Sequence, residues 1–513
     1  MVKIGKVTGP PGTGKTTEIM RLIDAALEKY SPDRIGAISF TKAAVQTVSN
    51  RIREKSGKVP DNVRTVHSHA FRMMGLKTDQ ICDAGNNNAQ FRGFCEKYPQ
   101  WAMSLKRVAG DDDTFTYNPS AADNDKTFSE MQILRQQMIP VENWQRQHQA
   151  IYRDWINYLN ENDFIDFTGI LEKCYRMRLA PDTDVLLIDE AQDLTALQYC
   201  LTRMWADRNQ TTVYVGDGDQ SIFKFAGVNP EVFRNIDAGW NKLLNQSYRV
   251  PPRVLEYAQS IIRNIKNRED VSYKPFTDEG EGAVLSCMEP DLSLPGTHMI
   301  LCRCNYQVRK WITWLKDNHT IWHNPYRTED LYWNPTLTKS WQAYGIYHEL
   351  IHGRSVSGEA LQKMVKKMRV KDTMKKGVKA QIEDWQEQEL SRQYSMLDLV
   401  PLGFEFAFIQ GDIPFRDWVD QKSQIADSLQ DLYTTKTPTC VVGTVHSVKG
   451  GESDHVWLDT ETTPTICRDV MNYVGSAYED ESRLAYVAAT RARKTLGIMY
   501  SRSKMKNSIL YHI

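Results

Sequence analysis

Apolar positions along this chain gather into a few short, uninterrupted runs separated by longer amphipathic stretches. Residues Val2–Thr8 predict a short buried strand, and the amphipathic stretch Glu18–Lys29 predicts a helix close behind it. Val185-Leu186-Leu187-Ile188 is apolar at every position, as expected of a strand covered on both faces. His298–Cys302 and Cys440–Gly443 read as further strands of this kind. Strands alternating with helical stretches predict an α/β protein built on parallel sheets flanked by helices.

Two stretches interrupt the alternation. The segment 72–162 reads as mainly helical, with a polar loop around Asp111-Asp112-Asp113 and Asn118-Pro119. Its helices are rich in Trp and Arg (Trp144, Arg146, Tyr152, Arg153, Trp155), and packing is the expected role for most of the aromatics. A second helical insertion spans roughly 322–437. It carries the basic run Lys363, Lys366, Lys367, Arg369, Lys371, Lys375, Lys376 and Lys379. A solvated helix face and a duplex-backbone contact are both open readings of that run.

The loop after the first strand is Gly9-Pro10-Pro11-Gly12-Thr13-Gly14-Lys15-Thr16, a phosphate-binding loop in the required strand–loop–helix setting. Gly12 and Gly14 let the backbone curl so that its N–H groups point at phosphate oxygens. The start of the helix adds a positive dipole end. Lys15 is expected to reach the β and γ phosphates of ATP, and Thr16 to offer its hydroxyl to Mg2+. Gly12, Thr13, Gly14, Lys15, Thr16 and Thr17 are the candidate nucleotide contacts. Asp189-Glu190 ends the apolar run at 185–188, where open α/β sheets bind ligands. Asp189 is the candidate metal ligand with Thr16, and Glu190 the candidate base for the attacking water.

The length of 513 residues calls for more than one domain. Net charge is zero, with 64 basic and 64 acidic residues, so nucleic-acid binding would need local basic surface, loop amides and aromatic stacking. No apolar run is long enough to span a bilayer. The chain enters its first motif directly from Met1, so no signal peptide is expected. The nine cysteines contain no CxxC pair, which suits free thiols in a reducing compartment such as the cytoplasm. Cys302 and Cys304 are expected on one side of a strand, in packing.

Further blocks carry a resemblance. They are Phe40-Thr41-Lys42-Ala43-Ala44, Thr65-Val66-His67-Ser68, Gly216–Gly227 with Gln220, Phe223 and Phe225, and Leu244–Arg249. Thr444–Glu452 and Arg483–Arg493 follow. With the two motifs above, and in this order, the chain resembles the UvrD/Rep/PcrA-like helicases of superfamily 1. The resemblance implies two RecA-like P-loop motor domains, each with a mainly helical insertion. The first would comprise 1–71 and 163–243, with 72–162 inserted. The second would comprise 244–321 and 438–513, with 322–437 inserted.

By the same resemblance, Gln220 looks like the γ-phosphate sensor, and Arg249 and Arg491 like two arginines supplied to the transition state. Tyr248 looks like the aromatic that stacks on adenine, and Glu452 like the acid that meets the ribose. Phe40, Thr41, Thr65, His67 and His446 lie in blocks that track the nucleic-acid backbone. Phe223 and Phe225 stand where the family stacks on bases, although their alternation also suits one face of a core strand. The implied activity is an ATP-hydrolysing, Mg2+-dependent DNA helicase or translocase moving 3′-to-5′ on single strands and at single/double-strand junctions. Hydrolysis would be coupled to closure of a cleft between the motor domains. A translocase that displaces proteins without unwinding, and a P-loop kinase or NTPase acting on a small molecule, are the alternatives. Only eight residues precede Gly9, so the family's adenine-reading glutamine has no expected counterpart.

Overall fold

The structure is a computed structural model. It describes residues 3–39, 42–58, 61–82, 88–103, 123–266, 268–269, 271–327, 333–419, 438–471, 475–500, 505 and 507–511. The chain forms two compact units. The first comprises Met1–Leu285, Thr463–Leu496 and Met505–Ile513, and the second Ser286–Thr462 and Gly497–Lys504.

The first unit is organised by a six-stranded sheet. Its strands are β1 (Lys3–Thr8), β2 (Ile35–Ile38), β3 (Val63–Arg64), β4 (Val185–Ile188), β5 (Thr211–Gly216) and β6 (Trp240–Leu243), in the order β3-β2-β4-β5-β1-β6. Every pairing is parallel. Successive side chains of a strand point to opposite faces, so each inner strand feeds two cores. Val185, Leu187, Val213 and Val215 pack with Val7, Ile19, Ile23, Val48 and Ile52 on one face. Leu186, Ile188 and Tyr214 pack with Ala70, Ile170, Leu197, Leu201 and Trp205 on the other. Helices Lys15–Leu27 and Lys42–Ser56 cover the first face; Val66–Met73, Phe167–Arg176 and Ala196–Ala206 cover the second. The apolar run at 185–188 is thus a strand buried at all four positions.

Within 72–162, the described residues are mainly helical. Phe91, Phe94, Phe128, Trp144, Ile151, Trp155 and Tyr158 form a separate small core. The Trp residues there are packing residues. The polar loop expected around 111–119 lies outside the described residues. The helical layer is tied to helix Phe167–Arg176, which covers the sheet, by a buried ionic cluster. Arg135 donates to Asp166 at 2.5 and 3.1 Å and to Glu172 at 3.1 and 2.9 Å. Trp155 Nε1 and Gln132 Nε2 also donate to Asp166, at 2.7 and 3.0 Å. The rest of the first unit includes helices Pro252–Ile262 and Gly475–Ala489.

A second six-stranded sheet has the order β7-β14-β13-β8-β12-β9, with β7 Ala283–Cys287, β8 His298–Cys302, β9 Trp322–His323, β12 Cys440–Thr444, β13 Ser453–Asp459 and β14 Ala492–Met499. β8, β9, β12 and β13 belong to the second unit, and β8–β12, β9–β12 and β8–β13 pair in parallel. The strand of Cys302 ends there. Cys304 instead caps helix Asn305–Asp317, so the two thiols do not share a strand face: Cys304 N donates a 2.7 Å hydrogen bond to Gln307 Oε1, which turns the chain into the helix. None of the nine cysteines, all among the described residues, is placed in a disulfide.

The insertion of the second unit is a set of short helices with an antiparallel ribbon, β10 (Val356–Ser357) and β11 (Gln393–Tyr394), around a core that includes Trp341, Tyr347, Leu361, Met364, Phe408 and Trp418. Its basic run is spread over several elements. Lys363, Lys366, Arg369, Lys371, Lys375 and Lys376 are exposed, and Lys363 pairs with Glu359 at 2.7 Å. Among the described residues no helix is long and apolar enough to cross a membrane.

Candidate functional site

The carboxyl ends of β1, β4 and β5 converge on one edge of the first sheet, and each hands the chain to a loop bearing polar groups. After β1, Gly12 and Gly14 both take left-handed φ, 72° and 81°. Gly14 caps helix Lys15–Leu27 in that conformation, and Thr13 Oγ1 donates to Pro10 O at 2.8 Å. A Cβ on Gly12 would lie 2.5 Å from Arg249 Cβ and 2.8 Å from Ser247 Oγ, so a side chain is excluded there on two grounds. Lys15 Nζ donates to Gly9 O at 2.7 Å. Thr16 and Thr17 are exposed at the helix start.

The segment after β6 closes over this loop. Ser247 Oγ donates to Pro11 O at 3.0 Å, and Tyr248 N donates to Gly12 O at 2.8 Å. Tyr248 and Arg249 are therefore fixed beside the phosphate loop, and the Tyr248 ring is 64% exposed, open to stack on a flat ligand.

After β4, Asp189 N is held by Ile38 O at 2.9 Å, and Asp189 Oδ1 accepts from Glu190 N at 2.9 Å. Glu190 takes φ 49°, a left-handed conformation that costs a non-glycine residue about 1 kcal/mol or more. Gln192, fully buried, donates through Nε2 to the Glu190 carboxylate. Its Oε1 accepts from Asp217 N at 2.9 Å, so the acidic pair is joined to the loop after β5. Burial, and then the charge of Glu190, push the Asp189 carboxyl up to about 7, against the opposing pull of Lys15.

In the loop after β5, Asp217 Oδ1 accepts from Asp219 N at 3.1 Å and Oδ2 from Gln220 Nε2 at 2.8 Å. This leaves the other end of the Gln220 amide facing Arg491, whose Nη2 donates to Gln220 Oε1 at 2.8 Å. Arg491 is 2% exposed, and its Nε donates to Val487 O at 3.0 Å. Burial, and then the charge of Asp219, raise the Asp217 carboxyl to about 6, again opposed by Lys15. Arg268 pairs with Asp219 through Nη2 at 2.8 Å and Nε at 3.2 Å.

The arrangement suits a nucleotide triphosphate with a hard divalent cation. Mg2+ takes oxygen ligands and usually needs only one or two from protein beside phosphate oxygens and water. Thr16 and Asp189 would supply that donor set, and a cation there would offset the burial and the neighbouring Glu190 charge that raise Asp189. Among the described residues no group of three or more His, Cys, Asp or Glu forms a cage of its own.

Two family models match the chain: the UvrD/REP helicase N-terminal domain over residues 4–239, and the UvrD-like helicase C-terminal domain over residues 356–503. The chain belongs to the UvrD-like superfamily 1 helicases. Among curated relatives it is 26% identical over 277 residues to the ATP-dependent DNA helicase Rep of Buchnera aphidicola subsp. Acyrthosiphon pisum (strain APS), covering 49% of this chain and 42% of that protein. It is 24% identical over 294 residues to the ATP-dependent DNA helicase PcrA of Bacillus subtilis (strain 168), covering 52% of this chain and 39% of PcrA. The matched region is thus less than half the length of these relatives. The parallel sheets flanked by helices are those of the two RecA-like domains of this helicase family.

The residues expected at the nucleic-acid face are distributed differently. Phe225 is 43% exposed, and its ring meets that of half-buried Phe223 edge-on at 5.9 Å between centroids. They sit in a 3₁₀ turn and not on a strand, because Gly227 at φ 87° closes the turn. Thr65 caps helix Val66–Met73 by accepting from Ser68 N at 3.2 Å. His67 is buried, its ring edge-on to Phe167 at 6.0 Å. Phe40 and Thr41 lie outside the described residues. In the second unit, His446 opens a 3₁₀ turn after β12 and is half-buried, and Glu452 is exposed just before β13. Sequence reasoning gave no role to Gln192, Asp217, Asp219 or Arg268. Asp217 and Asp219 lie inside a quoted motif block, and Gln192 lies two residues beyond the acidic pair; Arg268 lies in a polar loop that carries no pattern.

Proposed function

We propose that the protein is an ATP-driven motor that translocates on single-stranded DNA and unwinds duplex at single/double-strand junctions, acting in a bacterial or phage-infected cytoplasm. The observation that carries this reading is the convergence of four groups at one sheet edge: the Lys15 loop, the Asp189-Glu190 pair, Gln220 and Arg491. The small-molecule kinase reading leaves the bond from Arg491 to Gln220, 271 positions apart in sequence, unexplained.

In this mechanism the loop amides, Lys15 and Thr16 bind the triphosphate; Thr16 and Asp189 would hold Mg2+, which would supply charge neutralisation at the phosphate oxygens. Glu190 orients the attacking water and accepts its proton. Gln220, with Arg491 on its carbonyl oxygen, reads the γ-phosphate, and Arg249 and Arg491 stabilise charge in the transition state. Tyr248 stacks on the adenine, and Glu452 meets the ribose. Hydrolysis is coupled to closure between the two motor domains. Phe225 and Phe223 stack on bases, a contact that tolerates any sequence. Phe40, Thr41, Thr65, His67 and His446 belong to the blocks that follow the strand. Polarity is 3′-to-5′, a proposal that rests on the family resemblance.

ATP turnover measured with and without single-stranded DNA, beside unwinding of a 3′-tailed duplex, tests the reading. Steep stimulation with unwinding is expected. Stimulation without unwinding assigns a translocase only, and the absence of any DNA effect overturns the proposal.

A further inference from the structure

Asp217 and Asp219 are two buried carboxylates separated by one residue, and Asp219 N donates to Asp217. Two like charges at such a spacing in a low-dielectric setting repel and need cations held close. Arg268 meets this need on the Asp219 side. Its guanidinium makes a two-point contact with Asp219, and its side chain is largely buried. A planar guanidinium held in this way fixes direction as well as charge.

The loop that carries Arg268 is itself anchored from two sides. Glu269 pairs with Lys6, a buried lysine on β1 whose Nζ also donates to Arg234 O at 3.1 Å. Lys266 N donates to Glu479 Oε1, on helix Gly475–Ala489, at 3.3 Å. That helix ends two residues before Arg491. Arg268 therefore stands on a fixed support, and the chain of contacts runs from it to the reacting end of the site. Arg268 holds Asp219; Asp219 N and Gln220 Nε2 share the carboxylate of Asp217; Gln220 Oε1 accepts from Arg491.

We propose that Arg268 is a positioning residue for ATP turnover: by fixing Asp219 against Asp217 it sets the orientation of the Gln220 amide that receives Arg491. This rests on the reading of Gln220 and Arg491 given above. An amide whose nitrogen is not held by Asp217 is free to turn its own N–H toward the Arg491 guanidinium, which cannot accept it. Arg268 has no part in binding nucleotide. Its loss acts on the chemical step through Gln220 and leaves ground-state affinity in place.

The test is a double-mutant cycle on the full chain, with steady-state ATPase in saturating single-stranded DNA. Arg268→Gln is expected to lower kcat by about tenfold or more with KM for ATP within about threefold, the pattern of a lost transition-state interaction. In a Gln220→Ala background the same substitution is expected to change kcat by less than about twofold, because the residue it acts through is gone. Equal losses in both backgrounds, or a wild-type kcat for Arg268→Gln, overturn the proposal. If Arg268→Gln does not fold, Arg268→Lys keeps the cation and loses the two-point contact. It is expected to lower kcat by about threefold or more, again only when Gln220 is present; an unchanged kcat overturns the proposal. An inert wild-type protein would sink the underlying reading instead, and a kcat that falls for Gln220→Ala but not for either Arg268 variant sinks this one alone.

Discussion

Arg491 Nη2 donates to Gln220 Oε1 at 2.8 Å, across 271 positions of sequence. Both side chains are buried, so the bond forms in a setting where charge is poorly screened. Arg491 is expected to act on the transition state and contribute little to holding ATP. Arg491→Ala should lower kcat by about 10³ or more with little change in nucleotide affinity. Arg249→Ala should show the same split. Steady-state kinetics beside equilibrium nucleotide binding checks this, and normal turnover by either variant would remove that arginine from the mechanism.

Lys15 and Glu190 divide binding and chemistry between them. Lys15→Ala should abolish ATP turnover, since no other cation from the loop replaces its reach to the phosphates. Glu190→Gln should bind nucleotide normally and lose hydrolysis, because an amide cannot take the proton from water. Near-normal turnover by Glu190→Gln would take Glu190 out of the base role.

Phe225 is exposed and Phe223 supports its ring. Phe225→Ala should weaken binding to single-stranded DNA by about 1–3 kcal/mol, the range for one stacked base. ATPase in the absence of DNA and the melting temperature should both hold. A fall in melting temperature together with both activities would mean that Phe225 is a packing residue.

Arg135, 2% exposed in its side chain, faces Asp166 and Glu172. Removing it leaves the buried Asp166 carboxylate without its cation. Arg135→Ala should therefore cost about 3–5 kcal/mol of stability, read from the shift in a chemical denaturation curve. A loss below about 1 kcal/mol, as for an exposed pair, would show that the cluster is hydrated.

His69 is buried against Trp205 at 5.7 Å, and burial lowers its pKa from about 6.5 to about 4. Between those values the unfolded chain binds a proton that the folded chain does not. Stability is therefore complete above pH 6.5 and falls as pH drops toward 4, by on the order of 3 kcal/mol from this group. His69→Phe should flatten that part of the pH–stability curve while keeping a ring against Trp205. An unchanged curve would mean that His69 does not titrate in this window.

Much of this protein is legible in its sequence because local rules settled it. The phosphate loop needs glycine at 12 and 14 for left-handed backbone, and the all-apolar run at 185–188 suits a strand covered on both faces, which it is. The order of the motif blocks pointed to the helicase family that the two family models match. What only the tertiary structure decided is which side chains meet across long separations. Arg268 carries no periodicity and no motif, and it matters through Asp219, 49 positions away. Gln192 lies two residues beyond the acidic pair, but nothing local says that its amide joins Glu190 to Asp217. The turn at Phe223 and Phe225 reads equally well as a strand, because alternation alone does not separate the two; Gly227, at φ 87° and placed where an added Cβ would lie 3.3 Å from Gln136 Cβ, decides it. Sequence pattern reports the period of a backbone and the chemistry of neighbouring positions. Buried charge is balanced by whatever the fold brings near, and that pairing has no local signature.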